Sequence, residues 1–170
     1  MHWTLKPKPD SKKTVNLATE LGVDKAIAEL LLQRGIENFE AAKTFFRPSW
    51  SDLHDPFLMK DMDKAVERLH QAIINQEKVL VYGDYDVDGT SSVALVCKYL
   101  RSNSTNQIST YIPDRYDEGY GISYQSIDYA ADNEFSLVIA LDCGIKAVDK
   151  ISYANNKNID YIICDHHKPG

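Results

Sequence analysis

Three aspartates, Asp84, Asp86 and Asp88, alternate in the stretch VLVYGDYDVDGTSSVALV (Val79 to Val96) and run straight into Gly89. Like charges this close repel one another, so a positive partner is expected among them. Two further groups of the same chemical kind follow, Asp142 in LDCG and Asp165-His166-His167 in CDHHKPG. Carboxylates with one or two imidazoles suit Mn²⁺ or Mg²⁺ in oxygen-rich octahedral coordination. Two such ions side by side would neutralise the aspartates, activate a water and stabilise the leaving oxygen of a phosphoester. Zinc, which takes more His and Cys, is the lesser alternative.

Two other readings of the triplet compete. DYDVDG begins like a calcium-binding EF-hand loop, but its twelfth position is Leu95, where a bidentate Glu is required, and VLVYG before it reads as strand. Aspartates after a strand also cap helices, and Asp88 is placed to cap one near Thr90. A cap accounts for one aspartate and leaves the others unexplained. Gly89 is expected to let the backbone turn tightly into that helix, with amides near Thr90, Ser91 and Ser92 facing a phosphate.

The elements that position these groups change character along the chain. The first 14 residues, polar and rich in Pro and Lys, read as an extended arm. VDKAIAELLLQRGI reads as a helix capped by Asp24 and stopped by Gly35, with Ile27, Leu30, Leu31 and Ile36 apolar. NFEAAKTFFRP reads as a second short helix ending before Pro48. Such helix pairs are packing modules more often than nucleic-acid-binding hairpins. After the linker SWSDLHDPFLMKD, MDKAVERLHQAIINQ carries Ala65, Val66, Leu69, Ile73 and Ile74 on one side of a helix.

From Lys78 onward, β-rich runs alternate with helical stretches. KVLVYG, ISTYIP, SLVIALD and DYIICD read as strands; TSSVALVCKYLRS, SYQSIDYAADN and IKAVDKISYANN read as the helices between them. This alternation predicts an α/β fold, a parallel sheet with flanking helices, preceded by a small helical N-terminal region. The boundary is expected between residues 1–60 and 61–170. Sites in such sheets form beyond the carboxyl ends of the strands, which is where the Asp and His groups fall.

Composition sets limits. With 170 residues, 44% hydrophobic and 26% charged, the chain reads as soluble and globular. No apolar run approaches the roughly 20 residues that cross a membrane. The first residues lack the apolar core of a secretory signal. Cys97, Cys143 and Cys164 are expected as buried reduced thiols in a cytoplasmic protein. The net charge of -6 argues against gripping nucleic acid by overall charge, though not against reaching phosphate through cations.

At GDYDVDG, LDCG and CDHHKPG the sequence resembles the DHH phosphoesterase superfamily, named for its Asp-His-His motif. DLHDPFLMKDMDKAVERL and IPDRYDEGYGIS are similar to its RecJ branch, single-strand-specific 5′→3′ DNA exonucleases acting in recombination and repair. The resemblance implies metal ligation by Asp84, Asp86, Asp88, Asp142 and His166, with Asp142 bridging two metals. It implies that His167 lies near the scissile phosphate and that Asp165 orients the histidines from behind. Arg115 is expected on a substrate phosphate, with Thr90 and Ser91. Tyr116 and Tyr120 are expected either to stack on bases of single-stranded DNA or simply to pack their loop.

RecJ-like proteins continue past the third motif with a fourth acidic motif and further domains. The chain is therefore expected to be an N-terminal fragment, inactive alone, with an exposed sheet edge that invites association. A DHH enzyme acting on short oligonucleotides or cyclic dinucleotides is the alternative; such relatives usually carry His four residues before Asp86, where this chain has Tyr82. A non-catalytic scaffold of the same fold is the third reading, opposed by the intact aspartates and histidines.

Overall fold

The computed structural model describes residues 4–170. The chain divides into two units, one ending at Leu58 and one spanning Met59–Gly170, where sequence placed the boundary between 60 and 61.

The first unit is helical. α1 (Ser11–Leu21) is capped by Asp10, α2 (Lys25–Leu32) by Asp24 and α3 (Phe39–Phe46) by Asn38, each side chain accepting from a first-turn amide. The arm expected over the first 14 residues thus ends at Asp10 among the described residues, and α1 is an element the sequence reading lacked. Leu17, Ala18, Ala28, Leu31, Ile36 and Ala42 form its core. Ile27 and Leu30, expected inside, are 41% and 49% exposed, and Ala28 is buried in their place. The linker holds two 3₁₀ turns, Trp50–Asp52 and Pro56–Leu58.

The second unit is α/β. Its elements are α4 (Met62–Ile74), β1 (Val79–Gly83), α5 (Val87–Asn103), β2 (Ile108–Tyr111), α6 (Tyr124–Asp132), β3 (Leu137–Leu141), α7 (Val148–Asn155) and β4 (Asp160–Cys164). The four strands form one parallel sheet in the order β2-β1-β3-β4. Every residue of the two central strands is buried, consistent with apolar runs covered on both faces. On one face Ala72, Val93, Cys97 and Leu100 pack against Val79, Val81, Leu137 and Ile139. On the other, Ile127, Ala130 and Ala154 pack against Leu80, Tyr82, Val138 and Ala140. α4 buries Ala72 fully, while Val66 and Ile74 remain 46% and 64% exposed.

β4 is an edge and is only partly covered. Cys164 at its end is exposed, unlike Cys97 and Cys143, which corrects the expectation of three buried thiols. Among the described residues no helix is long and apolar enough to cross a membrane.

Candidate metal centre

Strand register builds the site. Gly83 pairs with Leu141, and Leu141 with Cys164, across β1, β3 and β4. The next residue on each strand is an aspartate: Asp84, Asp142 and Asp165. Neighbouring strands lie about 4.8 Å apart, so three carboxylates stand in a row beyond the carboxyl edge of the sheet.

Asp84 is fully buried. Its Oδ1 accepts the Tyr85 amide at 2.8 Å, but its Oδ2 is buried with no hydrogen-bond partner among the described residues. Burial, then the charges of Asp86 and Asp142, push its carboxyl above the usual range, against the Tyr85 amide. A buried carboxylate oxygen without a donor, set among like charges, suits a cation as its partner.

Asp86 caps α5, its Oδ1 accepting from the amides of Asp88 (3.1 Å) and Gly89 (3.0 Å). The capping role suggested for Asp88 therefore belongs to Asp86, and Asp88 sits exposed in the first turn. Gly89 is helical rather than a turn residue. It is small because the helix touches the strand end: an added Cβ would lie 2.4 Å from the Asp84 carbonyl oxygen.

The amides expected to face a phosphate are used otherwise. Thr90 donates both its N–H (3.0 Å) and its hydroxyl (2.7 Å) to the Asp86 carbonyl. Ser91, an exposed residue, lies one position further into α5.

Asp142 is 9% exposed and occupies the left-handed region (φ 60°), which Asp tolerates better than most residues. Its amide donates to the Cys164 carbonyl at 2.8 Å, extending the ladder by one step. Its Oδ1 lies 3.0 Å from His166 Nε2. Asp142, His166 and His167 each offer a ligand atom within 4.8 Å of the others.

Asp165 holds His167, through the ring Nδ1 (2.7 Å) and the backbone N–H (3.0 Å), and its other oxygen accepts the Ile145 amide (2.9 Å). His166 is held by Asp142 instead, so Asp165 positions one histidine and not both. Burial raises the Asp165 carboxyl, but these donors outweigh it and the carboxyl titrates below its usual range. The hydrogen bond to Asp165 correspondingly raises His167.

His167 Nε2 lies 3.3 Å from the Tyr120 hydroxyl, which is also 3.3 Å from the Asp142 carbonyl. Burial and the carboxylates of Asp84, Asp142 and Asp165 push that phenol up to about 12, so it stays a neutral donor. Tyr120 thus joins the cluster, and Tyr116 stands apart at 92% exposure. Arg115 lays its guanidinium 4.6 Å over the Tyr85 ring at the same edge.

Residues that sequence reasoning missed hold this loop in place. Glu118 accepts from the Tyr111 hydroxyl (3.1 and 3.0 Å), the Asp114 amide (2.9 Å) and the Ser123 hydroxyl. Tyr82, fully buried, donates its hydroxyl to the Gly121 carbonyl at 2.7 Å. The signal for Glu118 was an acid flanked by the glycine-rich turn of DEGYG. Cys143 lies among apolar residues, and burial, then nearby carboxylates, push its thiol up to about 12.

Comparisons with known proteins give the family and the fold. The model for "DHH family, N-terminal domain" matches residues 78–170. The single-stranded-DNA-specific exonuclease RecJ of Bacillus subtilis (strain 168) is 41% identical over 100% of this chain and 21% of its own length. The RecJ of Escherichia coli (strain K12) is 34% identical over 66% of this chain and 19% of its own. The chain thus spans about a fifth of the length of these curated relatives. A crystal structure of exonuclease RecJ bound to manganese superposes with a TM-score of 0.61 at 28% identity, covering 66% of this chain and 29% of that one. RecJ from Thermus thermophilus, in complex with Mn²⁺, shares the fold with a TM-score of 0.69 at 22% identity, over 96% of this chain and 22% of its own. Because the family model takes in more than half of the sequence and ends on the Asp-His-His cluster, the chain belongs to the DHH family.

Proposed function

We propose that this chain supplies the metal-ligand face of a divalent-metal-dependent phosphodiesterase that digests single-stranded DNA from its 5′ end. The observation that carries the reading is the unpartnered, buried Oδ2 of Asp84 beside Asp142 and the two histidines. The donor types suit Mn²⁺ or Mg²⁺: Asp142 gathers with His166 and His167, and the carboxylates of Asp84, Asp86 and Asp88 at the end of β1 would complete the set. Bound there, such ions supply a Lewis acid for the phosphate and a nucleophile from water. The substrate comes from the RecJ relatives, which are single-stranded-DNA-specific exonucleases.

The chain's own residues do the remaining work. His167, whose Nδ1 is held by Asp165, presents Nε2 to the site, and in its protonated form that N–H would donate to a phosphate oxygen and stabilise the charge that develops there. The Tyr120 ring packs edge-on against the His167 ring at 6.0 Å and restrains its rotation. Arg115, exposed at the same edge, pairs with a neighbouring phosphate. Tyr82, buried and bonded to Gly121, offers no imidazole to the cluster, which favours long single strands over dinucleotides.

The test is digestion of 3′-labelled single-stranded DNA by protein expressed from the complete open reading frame, with and without Mn²⁺. Metal-dependent loss from the 5′ end, abolished in Asp142→Ala, is expected. Near-normal digestion by that variant overturns the reading. The 170-residue chain alone is expected to bind metal without turnover.

A further inference from the structure

A cleft of about 350 Å³ is bounded by His167 and Asp165 of the candidate metal centre. Tyr120, Gly121 and Ile122 also line it, with Tyr124, Lys146 and Lys150. The last three make no contact with the metal-ligand candidates among the described residues.

Their surroundings differ in a telling way. The Lys150 ammonium donates to the Ile122 carbonyl and lies 6.0 Å from the Tyr124 ring centroid, so it braces the wall. Lys146 is exposed and forms no hydrogen bond or ion pair among the described residues. The acids in the cleft do not cancel its charge: Asp165 is paired with His167, leaving only Asp149 at the rim. Tyr124 is 46% exposed and meets Tyr153 in a T-shaped contact at 5.2 Å, so part of its ring is open to solvent. A free ammonium, a partly exposed aromatic ring and a cleft at the lower end of ligand-pocket sizes match a phosphate joined to a planar base.

We propose that this cleft is a nucleotide subsite, in which Lys146 pairs with a phosphate and Tyr124 stacks on the base adjoining the phosphate held at His167. It deepens the phosphodiesterase reading and rests on it for the position of that second phosphate. The site keeps one nucleotide in register and is indifferent to base identity, because every base has a π face.

Calorimetric binding of dTMP and of inorganic phosphate to the Mg²⁺-loaded protein tests it. Lys146→Ala is expected to weaken both ligands about five-fold or more, the loss of one charge-assisted contact. Tyr124→Ala is expected to weaken dTMP five-fold or more and leave phosphate unchanged, while Tyr124→Phe binds both like wild type. Thermal melts verify that each variant is folded. Unchanged dTMP affinity in either alanine variant, or no dTMP binding by wild type, overturns the subsite. Digestion of single-stranded DNA by the wild type is scored separately, so the subsite can fail while the nuclease reading stands, and the reverse.

Discussion

Gly89 and Asp84 touch through their backbones: a Cβ on Gly89 would lie 2.4 Å from the Asp84 carbonyl oxygen and 2.5 Å from its amide nitrogen. The contact presses the first turn of α5 onto the end of β1 and sets where Asp84, Asp86 and Asp88 point. In an ordinary helix interior Gly→Ala stabilises by about 1 kcal/mol. Here the clash is with backbone, which cannot rotate away. Gly89→Ala is therefore expected to destabilise by roughly 1–3 kcal/mol, the cost of overpacking, and to weaken Mn²⁺ binding. Urea unfolding with and without metal checks both; a stabilised variant with intact metal affinity would contradict the packing argument.

Asp84 shows the opposite trade. Its buried oxygen has no hydrogen-bond partner among the described residues, a cost to the metal-free fold that a bound cation would offset. Asp84→Asn keeps the bond from the Tyr85 amide and removes the charge. The metal-free variant is expected to melt about 2–4 °C higher, the shift 1 kcal/mol produces in a chain of this size. Its melting temperature should no longer respond to Mn²⁺, whereas that of the wild type should rise. A lower metal-free melting temperature would mean that the carboxylate is structural.

The sequence carried the sheet well because its signals are local. Four apolar runs ending in Asp or Pro gave the strands, and strand ends alone placed Asp84, Asp142 and Asp165 on one edge. It carried α1 poorly: the polar stretch DSKKT hides a helix whose apolar positions, Leu17, Ala18 and Leu21, begin only in its second turn. The helix start at Val87 was also hidden, since a cap at Asp86 and a cap at Asp88 look alike until hydrogen bonds are seen. What could not be read at all were pairings across long separations. Asp142 with His166 and Tyr120 with His167 depend on loop paths that no periodicity encodes.

Glu118 anchors the loop between β2 and α6, accepting from Tyr111, Asp114 and Ser123 at once. Replacing it by Ala strands these part-buried donors, at about 1–3 kcal/mol for each left without water. Glu118→Ala is expected to speed hydrogen exchange of amides across residues 112–123 while the β1 and β3 amides keep their protection. Tyr120 rides on this loop, so the restraint on the His167 ring should loosen with it. Uniform exchange loss over the whole sheet would instead mark Glu118 as a core residue.

At the opposite edge of the sheet, Arg68 on α4 clamps Glu77 (2.7 Å) and Asp160 (2.6 Å), tying the helix to the starts of β1 and β4. Burial raises the Glu77 carboxyl, but the hydrogen bonds from Arg68 and Ser136 outweigh it, and the group titrates below its usual value of 4.5. A depressed carboxyl contributes stability that is fully present above its unfolded pKa and is lost as pH falls through the folded one. The Arg68 and Glu77 side chains are 22% and 20% exposed, between surface and buried pairs. Glu77→Gln is therefore expected to cost roughly 1–2 kcal/mol at pH 7. Wild type and variant should converge as pH falls from about 4.5 towards 2, because the wild type then carries a protonated Glu77 as well. Denaturant melts across that range check the sign, and a gap that widens on acidification would show that Glu77 is not held ionised by Arg68.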